Sequence, residues 1–244
     1  ILFVVFFLAV PAVSLAANKY VRTGANGNGD NWNNAYGSLP SALVRGDTYY
    51  IADGSYGSYT FDDAVDGTKV ITIKKATQDN HGTDTGWQSS YGDGQAIFGS
   101  TCIDNWIGCS SLVFRTGYWN LDGTIGSGSN SLSYGFSIPS TQQAAYAQQL
   151  VQLGQAGATD SAHHITISRL AVTCAGPEIN TGQQGIGGGF DVVLRSIYVD
   201  NCQNSIKVGK PNFLIENSYF DRAWSSPTHP GEQINSAYGA EGVV

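Results

Sequence analysis

Residues 221–232 hold the densest group of chemically able side chains in the sequence: Asp221, Arg222, Trp224, His229 and Glu232. An imidazole and a carboxylate three residues apart can act as an acid/base couple or as ligands, so His229 and Glu232 are candidates for either role. Trp224 offers a flat apolar face of the kind on which rings stack. The alternative is an ordinary long turn, with Trp224 packed on the flank of the fold. Lys207 and Lys210 bracket a strand end shortly before and either line an external groove or are two solvated lysines. His163-His164 opens another strand. The pair is expected to satisfy a turn hydrogen bond; the alternative is that one ring faces outward and binds a ligand. No spacing suggests a zinc site, an EF-hand loop or a tight pair of aspartates.

The elements that must carry these residues show a repeat. Ile165-Thr166-Ile167-Ser168-Arg169-Leu170-Ala171-Val172, Val192 to Val199 and Phe213 to Phe220 align without gaps, at offsets of 27 and 21 residues. Each has apolar residues at its first, third and eighth positions, the period-2 pattern of a strand with one buried face. A polar pair (Ser168-Arg169, Arg195-Ser196 or Glu216-Asn217) breaks the phase, as a bend between two strands would. A third short strand completes the unit, with Gly185-Ile186-Gly187 and Ser205-Ile206-Lys207-Val208 in phase. Three short strands per turn at a near-constant period predict a solenoid. Its core should stack like on like, Ile167 over Leu194 over Ile215.

Fainter copies lie upstream. Trp119 precedes Ile165 by 46 residues, which is expected to be two coils of 23, and Val70 to Lys74 lies another 48 upstream. Gln95 to Phe98 and Ser111 to Phe114 are then strands of intervening coils. Gln142 to Leu153 is expected to be a loop running into a strand at Leu150 to Leu153. Near the N-terminus, Trp32 to Leu43 has near-helical apolar spacing interrupted by Pro40, predicting two short helical turns. Ile1 to Val13 is almost wholly apolar, and Ser14-Leu15-Ala16 supplies small residues, the pattern of a secretory signal peptide. The expected organisation is a signal peptide over 1–16, truncated at its start, a cap and first coil over 17–66, and coils over 67–244 that are incomplete at the C-terminus. The protein is expected to be secreted or on the cell surface, to be a monomer, and not to stay in a membrane after signal cleavage.

With 13% charged residues and a net charge of −7, there is no electrostatic footprint for nucleic acid. A polyanionic ligand would need a local basic patch or a bound cation. Thirteen Tyr and five Trp suit a surface that stacks on sugar rings. Four Cys in a secreted chain can form two disulfides. Cys102 and Cys109 are close in a loop and are expected to pair. Cys174 and Cys202 fall nearly above one another in adjacent coils, either bonded or free.

The coil pattern, the cap residues Tyr20-Val21, Ala35-Tyr36, Leu39, Arg45-Gly46-Asp47 and Ala52 to Tyr56, and the coil start His163 to Ile167 resemble the pectate-lyase-like superfamily of right-handed parallel β-helices. The resemblance covers about residues 18–244 and implies an all-β, right-handed parallel β-helix. The superfamily includes lyases, hydrolases, esterases and adhesins, so the fold does not choose the reaction. For a lyase, the resemblance implies removal of the C5 proton of a uronate by Arg or Lys, with a cation, often Ca²⁺, at the developing charge. That places Lys207, Arg222, His229 and Glu232 as catalytic candidates, Trp224 and Lys210 against a polysaccharide, and Asp221 on the metal. A polysaccharide lyase acting by β-elimination is the leading expectation; a non-catalytic adhesin or carbohydrate-binding protein is the alternative.

Overall fold

The computed structural model describes residues 16–99, 101–102, 109–125, 134–140, 148–154, 162–176, 183–208, 212–225 and 231–236. The fold is a right-handed parallel β-helix, in which each coil crosses three sheets in turn. The first sheet stacks Asn18–Val21, Thr48–Ile51, Ile71–Lys75, Trp119–Asp122, His163–Ser168, Phe190–Arg195 and Phe213–Glu216. The second stacks Gly54–Tyr56, Ala96–Phe98, Phe136–Pro139, Leu170–Thr173, Tyr198–Asp200 and Tyr219–Asp221. The third stacks Tyr59–Phe61, Leu112–Phe114, Gln148–Leu153, Gln183–Gly188, Asn204–Val208 and Glu232–Ser236.

Alternation decides what faces inward. Ile73, Leu121, Ile167, Leu194 and Ile215 are partners across successive first-sheet strands and form one interior column. All but the half-buried Ile215 are essentially inaccessible. No coil can bury these side chains alone, so stacking supplies the hydrophobic stabilisation. The expected stack of Ile167, Leu194 and Ile215 is present. The polar pair in each repeat is the corner between first and second sheets. Its second residue, Arg169, Ser196 or Asn217, has φ of 55°, 51° and 51°. One left-handed residue turns the chain without breaking the ladder, since Arg169 N donates to Arg195 O and Ser196 N to Glu216 O.

Two expectations need correction. The 46- and 48-residue spacings are each one coil, because Trp119 pairs directly with both Ile165 and Ile71. Ala96–Phe98 and Leu112–Phe114 are the second- and third-sheet strands of the same coil. Insertions leave the coil at corners and return, so they lengthen the sequence period without adding a layer. Residues 76–94 are one such insertion, and Ala76 and Trp87 within it join Tyr20, Trp32 and Tyr50 in a small second core. In the cap, Trp32–Asn34 forms a single 3₁₀ turn, and 39–43 forms no helix. Coil side chains satisfy that backbone instead: Asp63 Oδ1 accepts from Leu43 N, Tyr49 Oη from Val44 N, and Tyr59 Oη donates to Pro40 O.

The Arg45-Gly46-Asp47 motif is a clamp. Arg45 lies 4.4 Å over the Trp119 ring and donates to the carbonyls of Asp63, Ala64, Gly117 and Tyr118. Cys174 and Cys202 are bonded, S–S 1.99 Å, across a separation of 28 residues, which resolves the alternative left open by spacing. Replacing both by Ala is expected to cost about 2–4 kcal/mol. Denaturant titration against the oxidised wild type checks this. Cys102 and Cys109 are opposite one another on a short antiparallel pair, while their side chains lie outside the described residues.

Candidate functional site

Where the third sheet hands over to the first, four successive coils place Tyr118, His164, Asp191 and Asn212 above one another. All four have left-handed backbone, with φ of 63°, 51°, 50° and 59°. His, Asp and Asn tolerate that conformation; a tyrosine there is strained and is held by its neighbours. Tyr118 N donates to His163 O, and Tyr118 O accepts from Ile71 N and from Arg45. This column borders a groove of about 770 Å³ along the outer face of the first sheet. Thr166, Val193 and Leu214, whose side chains point away from the core, form its floor.

The column is internally connected. The Tyr118 ring stacks on His164 at 4.7 Å, and His164 Nδ1 lies 2.7 Å from His163 Nδ1. One of these two nitrogens carries a proton and the other accepts it. Asp191 Oδ2 is 3.7 Å from His164 Nδ1, too long for a hydrogen bond, while Asp191 Oδ1 accepts from Asn212 Nδ2 at 2.6 Å. His163 packs between Tyr118 and Phe190 and over Gly117, where a Cβ would lie 2.6 Å from the ring. Burial, then the neighbouring His164, lowers the His163 pKa. The groove thus offers an exposed imidazole beside a phenol and a carboxylate, with a second imidazole disposed to stay neutral. Those are the group types that proton transfer uses.

The His163 shift has a stability consequence. Its folded-state pKa lies below the usual 6.5, so as pH falls through 6.5 the unfolded chain binds a proton that the folded one resists. Stability is therefore lost on acidification across that window. Melting temperatures between pH 8 and 5 should fall further for wild type than for His163→Gln; parallel profiles would contradict this.

The cluster singled out in the sequence sits elsewhere, at the corner between second and third sheets. Asp221 ends a second-sheet strand opposite Asp200, and Arg222 donates through Nε to Asp200 Oδ1 at 2.7 Å and through Nη2 to Oδ2. Hydrogen bonding to Asp200, then its charge, raises the Arg222 pKa, so the guanidinium is held charged rather than poised to accept a proton. Trp224 is half-buried and pinned to the coil below, its Nε1 donating to Asn201 O at 3.0 Å. Glu232 begins a third-sheet strand, and Lys207 lies three residues beyond its ladder partner Asn204, on the outer side of that sheet. The structure thus gathers Asp221, Arg222 and Trp224 and leaves Lys207 apart. His229 and Lys210 lie outside the described residues.

Among the described residues, the surroundings of Asp221 do not present a calcium site. Its Oδ1 accepts from Arg222 N, and the neighbouring Asp200 carboxylate is taken by the Arg222 side chain. Among the described residues no group of three His, Cys, Asp or Glu converges as a metal site.

On the first-sheet face, the cations Lys74 and Arg195 are paired with Asp122 and Glu216. The signal that finds the groove column in sequence is spacing: His164 and Asp191 are 27 residues apart, as are the strand residues Ile165 and Val192. Fold and groove define the class, a parallel β-helix with an open groove on the outer face of its first sheet. Comparison with protein-family models, with curated proteins and with solved structures found no match for the chain.

Proposed function

We propose that this is a secreted or cell-surface polysaccharide-active protein of the pectate-lyase-like kind, whose glycan lies in the groove across the first sheet. Its leading reaction is β-elimination on a uronate polymer. The observation that carries this reading is the Tyr118–His164–Asp191–Asn212 column bordering an open groove. In this reading His164 takes the C5 proton, and the hydroxyl of Tyr118, whose ring stacks on His164, protonates the departing 4-oxygen. Asp191, fixed by Asn212, stabilises the imidazolium that forms. The alternating outward face offers a track with one repeat per coil, which suits a linear polymer more than a compact ligand.

A second reading is a non-catalytic carbohydrate-binding protein or adhesin on the same groove. It is favoured by the pairing of Lys74 and Arg195 with carboxylates, because a uronate would have to compete for them. The experiment is incubation of the full-length protein with pectate, alginate and other uronates, with and without Ca²⁺, following the ultraviolet absorbance of the unsaturated product. Absorbance that rises in wild type and is lost in His164→Asn supports elimination. Binding without absorbance change on every polymer supports the adhesin.

A further inference from the structure

The least usual charged group in the fold is at the corner between first and second sheets in the two lowest coils, remote in chemistry from the groove. Lys75 ends its first-sheet strand with its side chain wholly buried. Its Nζ lies 2.5 Å from Asp53 Oδ1, yet that oxygen is buried and accepts no aligned hydrogen bond. Nζ instead donates to Ala76 O at 2.5 Å, and Asp53 Oδ2 accepts from Gly94 N at 2.5 Å. A wholly buried ammonium costs several kcal/mol to desolvate unless its partners are well matched, and here its carboxylate neighbour, 16% exposed, turns a buried oxygen toward it without an aligned hydrogen bond. Burial is the main influence on Lys75 and lowers its pKa, which favours the neutral, nucleophilic amine.

We propose that Lys75 and Asp53 condense into an intramolecular amide that staples the first coil to the second. The Nζ lone pair forms a bond to Asp53 Cγ, the Cγ–Oδ1 bond breaks, and Oδ1 leaves as water. That water carries one proton from the nitrogen and one from the carboxyl group, so no oxidant or co-reactant is needed. The surroundings already match the product. The amide N–H keeps Ala76 O as acceptor, the amide carbonyl is Oδ2 with Gly94 N–H as donor, and the departing oxygen is the one without an aligned partner. Cγ is one carbon–oxygen bond from Oδ1, which itself lies 2.5 Å from Nζ, so the two atoms to be joined are held as neighbours. The product removes both charges from the interior and ties the strand to the corner just where the 76–94 insertion departs.

The test is the mass of the denatured, reduced full-length protein, followed by tryptic mapping. The expected result is a mass one water below that of the chain, no tryptic cleavage after Lys75, and one branched peptide joining the segments that contain Asp53 and Lys75. Lys75→Arg is expected at its full mass. Recovery of wild type at full mass, with separate linear peptides for the two segments, would leave only an ion pair and overturn the proposal.

Discussion

Trp119→Ala is expected to destabilise the protein by about 3–5 kcal/mol and to lower its melting temperature by about 10 °C or more. Trp119 is almost completely buried, packs at 5.0 Å on Phe61 and at 6.4 Å on Phe114, and carries the Arg45 guanidinium at 4.4 Å. Removing the indole opens a cavity bounded by two coils that are held apart by their own ladders, so the space cannot close cheaply. It also strips the stacking partner from the clamp that fastens the cap. Trp119→Phe, which keeps an aromatic plane beneath Arg45, should recover more than half of the loss. Scanning calorimetry on the two variants checks both statements, and equal losses would show that the clamp contributes little.

His164→Asn is expected to lower kcat by about 10²–10⁴-fold with little change in melting temperature. Asparagine is the informative replacement because it tolerates the left-handed backbone, φ 51°, that His164 occupies, whereas Ala would add strain unrelated to chemistry. Asp191→Asn keeps shape and the left-handed backbone but removes the carboxylate facing His164, so its loss should be smaller than that of His164→Asn. Tyr118→Phe preserves the stack and deletes only the hydroxyl. Retention of full activity in Tyr118→Phe would assign the leaving-group proton to another donor. Initial rates across pH on one polymer separate these outcomes.

The sequence disclosed the fold more readily than the site. Ile165, Val192 and Phe213 announce the coil because a strand buried on one face must alternate, and a solenoid must repeat that alternation in phase. The number of coils upstream is not legible from spacing, because insertions such as 76–94 are invisible to a period measured along the chain. The second helical turn of the cap failed for a related reason. Apolar spacing at Leu39 and Leu43 reports burial, and here the coil beneath, through Asp63, Tyr49 and Tyr59, supplies the hydrogen bonds that a helix would have made internally.

Chemical density drew attention to Asp221, Arg222 and Trp224, but density within one loop says nothing about what the loop faces. Arg222 turns to Asp200 and Trp224 to Asn201, both on the preceding coil. The groove residues are spread one per coil at Tyr118, His164, Asp191 and Asn212, and look unremarkable one at a time. Only the ladder register assembles them. Aligning chemistry-bearing residues at the same phase of each repeat is therefore the more informative search in a solenoid.

The proposed glycan site in the first-sheet groove is open to direct test. Hydroxyl-radical footprinting of the full-length protein, with and without a bound uronate polymer, reads this residue by residue. Protection of Tyr118, His164 and Leu214 is expected, with Trp224 unchanged. Protection centred on Trp224, or a bound polymer that leaves Tyr118, His164 and Leu214 fully reactive, would contradict it.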